Sequence, residues 1–349
     1  MAITKVIWNG GSHQEWLAQR KETEGLNSLE TTRFGASDVG TIIHSNKWKC
    51  PNRLFLHMIG RYSSEWRTAK SVGGHLLESV VANHWESWVS NEDEALLNLE
   101  RGNQLRKTKP ANYFLLNDKY PQLFASIDRL HDGEAYSPFT GALYDELTPI
   151  ELKTTEKDYF RLWGDEMITP SYLAQVTAQM MVSNTKVAVF CVLVNGVYFH
   201  VREVEYDSFL ADKIDYETRK FTDICKAGKQ ILDLMKDAKT DSEYNEYQAM
   251  LDSIAPEPTE LEDEQVLTKE LFGNSKDLVK GDEKDFKYLL DYQQAHDNIK
   301  ALEEAKQLAK NSLIRVMKDA EVMEFEGGKL TWRRGGDNKR DYFALKIYK

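Results

Sequence analysis

The sequence predicts a mixed α/β (α+β) domain followed by a helical tail. Three observations carry that prediction. Leu123-Phe124-Ala125-Ser126-Ile127-Asp128 and Pro149-Ile150-Glu151-Leu152-Lys153 alternate apolar and polar residues, the period-two signature of strands. Val187 to Val194 and Val197 to Val204 are β-rich runs joined by Asn195-Gly196, a strong short hairpin signal. Between these pairs, Ser171 to Ser183 reads as a helix, with Pro170 as its start signal. Helices, strand pair, helix, strand pair is the order of a layered α/β or α+β domain.

The bulk properties bound the class. The chain has 349 residues, room for about two domains at ~100–200 residues each. With 41% hydrophobic and 29% charged residues it is globular rather than disordered. Its longest apolar run, Val187 to Val194, is far short of the ~20 residues of a membrane span. Met1 to Gly11 lacks a basic start followed by an apolar stretch, so no secretory signal is expected. Cys50, Cys191 and Cys225 are odd in number and scattered. That excludes a disulfide framework and a four-cysteine zinc or iron–sulfur site, and a reducing cytoplasm fits. The His residues show no metal-binding spacing and read as structural or surface groups.

Charge marks the boundaries. The net charge of −11 argues against a nonspecific nucleic-acid coat. It is unevenly spread, because Asp241 to Glu270 alone contributes −9 and Gly327 to Lys349 contributes +5. A local basic track for DNA is therefore compatible with an acidic total. The sequence divides into a catalytic-type domain over 1–239, an acidic linker over 240–270 containing Pro256-Glu257-Pro258, and a tail over 271–349. In the tail, Tyr288, Tyr292, Ala295, Ile299, Leu302, Ala309, Leu313 and Val316 repeat at a three/four spacing. That predicts one long amphipathic helix, a coiled-coil arm whose seam Lys306 interrupts. Gly327-Gly328 between Val322–Phe325 and Leu330–Trp332 predicts a hairpin. Lys329, Arg333, Arg334, Lys339, Arg340, Lys346 and Lys349, interleaved with Trp332, Tyr342 and Tyr348, form a basic cluster suited to a DNA backbone. A hairpin with Trp332 and Phe343 packed on the long helix is the other reading of the same residues.

Chemistry concentrates in the two strands of the first domain. Alternation projects Glu151 and Lys153 from one face, and Ser126 with Asp128 from one face. If the strands are neighbours, two carboxylates and an ammonium converge. Two close carboxylates repel unless a cation shares them, and oxygen ligands suit Mg²⁺. Lys153 beside them is placed to orient or deprotonate an attacking water, so Asp…Glu-x-Lys is a compact kit for phosphodiester hydrolysis. A salt-bridged strand edge would leave the same trace. Glu78, after Gly73-Gly74, is either a helix first-turn acid or a third carboxylate near the metal. Tyr172, Gln175 and Gln179 share one helical face, on which a Gln packed by the sheet would orient the Lys or the water. Gly35-Ala36-Ser37-Asp38 reads as a turn into a helix with Ser37 as its N-cap, a place where free N–H groups hold a phosphate, with Arg20 and Arg33 upstream.

Trp16…Arg20, Gly35-Ala36-Ser37-Asp38, Gly74…Glu78, Ser126-Ile127-Asp128, Ile150-Glu151-Leu152-Lys153 and Tyr172-Leu173-Ala174-Gln175-Val176 follow in order over roughly residues 15–215. The series resembles the lambda-exonuclease/YqaJ family of viral recombinases, within the PD-(D/E)xK nuclease superfamily. The resemblance implies a restriction-endonuclease-like central mixed sheet flanked by helices. It implies a DNA exonuclease that degrades one strand of linear duplex DNA 5′→3′ with Mg²⁺, two ions per site, Mn²⁺ substituting. It also implies a ring-shaped homotrimer acting on double-stranded DNA ends with a single-strand annealing protein, in the cytoplasm of a bacterial host, encoded by a phage or prophage. By the same resemblance Asp128 and Glu151 are metal ligands with the Leu152 carbonyl, Lys153 acts on the water, and Glu78 sits in the outer metal shell. Gln175 supports the site, while Ser37 and Ser126 bind the 5′ phosphate with an Arg, Arg20 in preference to Arg33. The long separation of Asp128 from Glu151, the insertion between Arg20 and Ser37, and the tail depart from the lambda pattern. The rival readings are a structure-specific or nicking endonuclease of the same superfamily, and a non-catalytic DNA-end-binding module.

Overall fold

The structure is a computed structural model that describes residues 2–7, 13–26, 28–46, 48–62, 69–88, 106–164, 167–257, 281, 283–318, 320–333 and 342–347. The chain divides into two units, Met1–Asn274 and Ser275–Lys349. Strand β1 (Ile3–Ile7) precedes helix α1 (His13–Glu24), a short β2 (Phe34–Gly35), a 3-10 turn (Ala36–Asp38), α2 (Val39–Ile42), α3 (Pro51–Met58) and α4 (Ala69–Ser87). Strands β3 (Thr108–Pro110), β4 (Tyr113–Asn117), β5 (Leu123–Ser126), β6 (Arg129–His131) and β7 (Ile150–Thr155) follow. Then come α5 (Lys157–Arg161), α6 (Pro170–Ser183), β8 (Val187–Val194), β9 (Tyr198–Glu205), α7 (Ser208–Asp237) and α8 (Asp241–Ile254). The first unit is thus mixed α/β, with two sheets ordered β1-β4-β5-β2 and β3-β6-β7-β8-β9. Parallel and antiparallel pairs occur in both sheets.

Local sequence explains the elements that position the site. Thr169 caps α6 by accepting the Tyr172 N–H at 3.2 Å, Pro170 opens it, and Asn184 closes it at φ 56°. Its small and apolar residues Ala174, Ala178, Met181 and Val182 enter the main core beside Phe34, Leu115, Leu123 and Ile127. At Gly40 of α2, an added Cβ would come within 2.6 Å of Ser171 Oγ and 3.1 Å of its Cα, so α2 seats directly against the start of α6. The Asn195-Gly196 hairpin forms as expected, with φ 51° and 71° at the two residues and all of β8 paired antiparallel to β9. Among the described residues no helix is long and apolar enough to cross a membrane.

The acidic stretch is not linker throughout. Asp241–Ile254 is helical because Thr240 and Glu243 form a reciprocal capping box. Tyr247, Leu251 and Ile254, spaced by four and three, pack on the core, and Leu251 is buried. Asn52 Nδ2 also donates to the Pro256 carbonyl at 2.6 Å. The acids of the helix itself, Asp241, Glu243, Glu246 and Asp252, are exposed on its remaining faces. Residues 258–280 lie outside the described residues.

In the second unit α9 (Glu283–Met317) is followed by β10 (Val322–Phe325), β11 (Gly328–Arg333) and β12 (Tyr342–Ile347), a three-stranded antiparallel sheet. The Gly327 turn (φ 86°) joins the expected hairpin, but the third strand, Tyr342–Ile347, was not expected, because the run was taken together with the basic cluster around it. Met317, Leu330 and Trp332 are buried, with Leu313, Ile314, Met323 and Phe343 against them. Trp332 and Phe343 therefore serve packing rather than an open aromatic face. Arg334, Lys339, Arg340, Tyr348 and Lys349 lie outside the described residues, as do the side chains of Arg333, Tyr342 and Lys346.

Candidate active site

The two strands that carry the carboxylates belong to different sheets. β5 ends at Ser126, the chain turns through Ile127 and Asp128, and β6 then joins the second sheet by pairing Arg129 with Ile150 of β7. Asp128 thus stands at the corner between the sheets rather than on a strand beside Glu151. The corner achieves what strand adjacency was expected to do. The Leu152 N–H of β7 donates to Asp128 Oδ2 at 2.8 Å, which fixes Asp128 one residue from both Glu151 and Lys153.

Glu151 is the most enclosed of the set, 1% exposed. A buried carboxylate is costly unless its oxygens are satisfied. Lys153 Nζ and Gln175 Nε2 (2.5 Å) donate to Oε1, and Gln179 Nε2 donates to Oε2 at 2.7 Å. Gln179 Nε2 also reaches the Ser126 carbonyl at 3.0 Å, so one α6 side chain ties β7 to the end of β5. Lys153 Nζ lies 5.3 Å from the centroid of the Tyr172 ring, also on α6.

The charges are coupled. Burial, then the Glu151 carboxylate, push the Asp128 carboxyl well above its ordinary value; Glu78 adds to this, while Lys153 and the Leu152 N–H oppose it. Burial would lower the Lys153 ammonium, but Glu151 and Asp128 outweigh it and hold its pKa above the ordinary value. Glu78 is half-buried on α4, which packs on β7. Among the described residues no three His, Cys, Asp or Glu side chains gather tightly enough to hold a metal by themselves. What the site offers is two carboxylates beside the backbone of Leu152. That all-oxygen set fits Mg²⁺, which commonly takes one or two carboxylates and completes its shell with water and phosphate oxygens. A cation there would also relieve the repulsion that raises Asp128.

The second group of expected residues lies along β2. β2 pairs in parallel with β5, Phe34 to Leu123 and Gly35 to Phe124. Ser37 and Ser126, each two residues beyond the Gly35–Phe124 pair, therefore sit at the same end of neighbouring strands. Ser37 is not an N-cap: it lies inside the 3-10 turn, whose cap position is Gly35 without a side-chain bond. Arg20 lies beside this turn. Its guanidinium bonds Glu24 Oε1 at 2.7 Å and Asp38 Oδ2 at 2.8 Å, and a Cβ on Gly35 would fall 3.2 Å from its Nη2. Arg33 instead donates to the Thr23 carbonyl at 3.4 Å. Burial alone would raise Asp38, but Arg20, then Lys49 and His57, hold its carboxyl below the ordinary value.

Sequence reading missed Asp38, Glu24 and Lys49 as partners of the Arg20 cluster. Asp38 and Glu24 are buried acids, and nothing in their local pattern distinguishes them from solvated ones. Gln179 was visible only as a polar residue on the face of Gln175; its position two turns from Tyr172 was the available signal.

Residues 15–186 match a model of the YqaJ-like viral recombinase domain. The protein YqaJ of Bacillus subtilis (strain 168), itself described as uncharacterized, is 30% identical over 206 residues, 58% of this chain. The chain spans about half the length of that curated relative, 53%. Among solved structures, an alkaline exonuclease (LHK-Exo) from Laribacter hongkongensis superposes with a TM-score of 0.42 at 16% identity, over 58% of this chain and 91% of that one. A phage-related exonuclease from Haemophilus somnus 129PT gives 0.35 at 13% identity, over 55% and 94%.

Proposed function

We propose, from the match of residues 15–186 to the YqaJ-like viral recombinase domain, that the chain is a metal-dependent deoxyribonuclease acting on ends of duplex DNA. The finer reading is a 5′→3′ exonuclease that exposes a single strand for annealing in a phage-type recombination system of a bacterial cytoplasm. The observation that carries it is the meeting of Asp128, Glu151 and Lys153 at the β5–β6 corner, with Glu151 held from α6.

In this reading Asp128, Glu151 and the Leu152 carbonyl would hold Mg²⁺, with Glu78 on its waters. When bound, the metal supplies positive charge to the scissile phosphate and a more acidic water. Lys153 holds the attacking water by an N–H and offsets the two carboxylates. Gln175 and Gln179 fix the Glu151 oxygens, so the ligand does not have to be ordered at each turnover. Ser37 and Ser126, at adjacent strand ends, donate to a terminal 5′ phosphate, with Arg20 as the nearby cation. The proposed partners are an annealing protein and further copies of the chain in a ring.

The deciding assay compares linear and closed circular duplex DNA with Mg²⁺, the linear ends carrying 5′ phosphate or 5′ hydroxyl. Digestion confined to linear DNA, faster on phosphorylated ends and abolished by Glu151→Ala, is the expected result. Rapid cutting of circles would make the protein an endonuclease. Binding of ends without cleavage would make it a DNA-end-binding module.

A further inference from the structure

Trp48 is a large aromatic side chain left mostly in water, and Tyr159 beside it is partly exposed. Trp48 is 64% exposed and Tyr159 39%, yet their rings meet edge to face with centroids 6.0 Å apart. Exposing that much apolar surface forfeits stabilisation that burial would give. The two residues come from separate parts of the chain, and each is tied to one part of the candidate site.

Trp48 precedes Lys49, whose Nζ lies 3.7 Å from Asp38 in the turn that carries Ser37. Tyr159 is on α5, which starts two residues beyond β7, the strand of Glu151 and Lys153. The inner face of α5 is anchored. Phe160 packs on Trp163 at 5.2 Å, and Trp163 on Tyr172 at 5.4 Å, the same Tyr172 whose ring lies against Lys153. The outer face is then obliged to present Tyr159, together with Leu162 at 79% exposure. The pair therefore spans from the Ser37 turn to the Glu151 strand.

We propose that Trp48 and Tyr159 are a stacking platform for unpaired nucleobases at the DNA end entering the site, an inference that rests on the nuclease reading above. Aromatic faces accept any base, because every base has a π-face, which suits an enzyme that must pass all sequences. Each ring has a basic neighbour in the chain, and each of these also faces an acid. Lys49 is about half exposed beside Trp48, and Arg161, paired to Asp158 at 3.3 Å, flanks Tyr159. Stacking placed here separates the end base from its neighbours next to the residues assigned to the phosphate and the metal.

The test uses the full chain in EDTA, so that binding is read without cleavage, with a short 5′-phosphorylated duplex ending in a few unpaired nucleotides. Trp48→Ala is expected to weaken binding of this duplex about ten-fold, the usual scale for losing one stacked base. Trp48→Phe, which keeps a ring, should lose no more than about three-fold. DNA should quench part of the tryptophan emission of the wild type, and that part should be missing in Trp48→Phe. Tyr159→Ala should weaken binding in the same direction. Circular dichroism and thermal melting of each variant establish that it is folded. Wild-type affinity in folded Trp48→Ala, with the quench unchanged in Trp48→Phe, overturns the platform; if the wild type still digests linear DNA, the nuclease reading survives that result. Failure of the wild type to cleave DNA overturns the nuclease reading, and the metal-free binding data still decide whether the rings hold bases.

Discussion

Gln179→Ala removes a donor from a carboxylate that water does not reach. Glu151 is 1% exposed, and Gln179 supplies the 2.7 Å bond to its Oε2 and a 3.0 Å bond to the Ser126 carbonyl. A hydrogen bond to a charged group contributes ~1.5–3 kcal/mol, and a neutral one ~0.5–1.5 kcal/mol. Loss of both should cost the fold about 2–4 kcal/mol, before any contribution from the space left by the shortened side chain. A double-mutant cycle with Glu151→Gln separates the charged bond from the rest, since the Ser126 bond and the cavity are common to both backgrounds. The expected coupling is about 1–2 kcal/mol, because an amide in place of the carboxylate keeps an acceptor but not its charge. Urea unfolding in EDTA measures it. Digestion of linear DNA by Gln179→Ala should slow chiefly in kcat, since the lost contact orients a ligand and does not touch DNA. A coupling near zero together with wild-type unfolding would refute the view that Gln179 holds the Glu151 carboxylate.

Asp128→Asn keeps an acceptor for the Leu152 N–H and removes the charge. A carboxyl whose pKa is raised in the folded state contributes stability below its unfolded pKa and loses it as pH rises through the folded one, so at neutral pH the metal-free variant should melt above the wild type. Mg²⁺ should raise the melting temperature of the wild type and not of the variant; a less stable variant that still responds to Mg²⁺ would count against Asp128 as a ligand. His131 is held down to about 4 by burial and then by Arg106, and neither ring nitrogen finds a hydrogen-bond partner among the described residues. The unfolded chain takes up that proton near pH 6.5, so unfolding free energy should fall by up to ~3 kcal/mol between pH 6.5 and about 4. His131→Phe should remove that slope in denaturation series across pH. Arg20→Ala should erase the preference for 5′-phosphorylated ends more than Arg33→Ala does, read as the ratio of digestion rates on the two kinds of end.

The strands, the α6 helix and the Asn195-Gly196 hairpin were legible because each has a local cause: alternation, a Thr-Pro start, a turn that needs positive φ. The Glu151–Lys153 pairing was legible for the same reason, since two residues apart on a strand share a face. The position of Asp128 was not. Its run continues the alternation of β5 through Ile127, and only the tertiary pairing of Arg129 with Ile150 ends one strand and starts the next. The acidic segment misled by composition, because its capping box and its Tyr247–Leu251–Ile254 stripe are a minority of its residues. Arg20 shows the deeper limit. Its spacing from Trp16 marked it out, but the two buried acids that hold it come from α1 and from the Ser37 turn, and charge pairing across a core leaves no periodic trace.

The placement of those acids bears on how the site is built. Arg20 is already neutralised in part by Glu24 and Asp38, and Glu151 by Lys153 and two amides. Neither half of the site thus presents a bare charge in a buried setting, which would be expensive. The two halves are also mechanically one. Gly40, two residues past Asp38, seats α2 on Ser171 with no room for a Cβ, and α6 carries Gln175 and Gln179 to Glu151 from that same end. Gln179 then closes the circuit at the Ser126 carbonyl, at the end of β5 that lies level with the Ser37 turn. A shift of α6 would displace the residues assigned to the metal and those assigned to the terminal phosphate together. If the proposed exonuclease reading holds, that coupling would keep the distance between the held end and the bond to be cut constant.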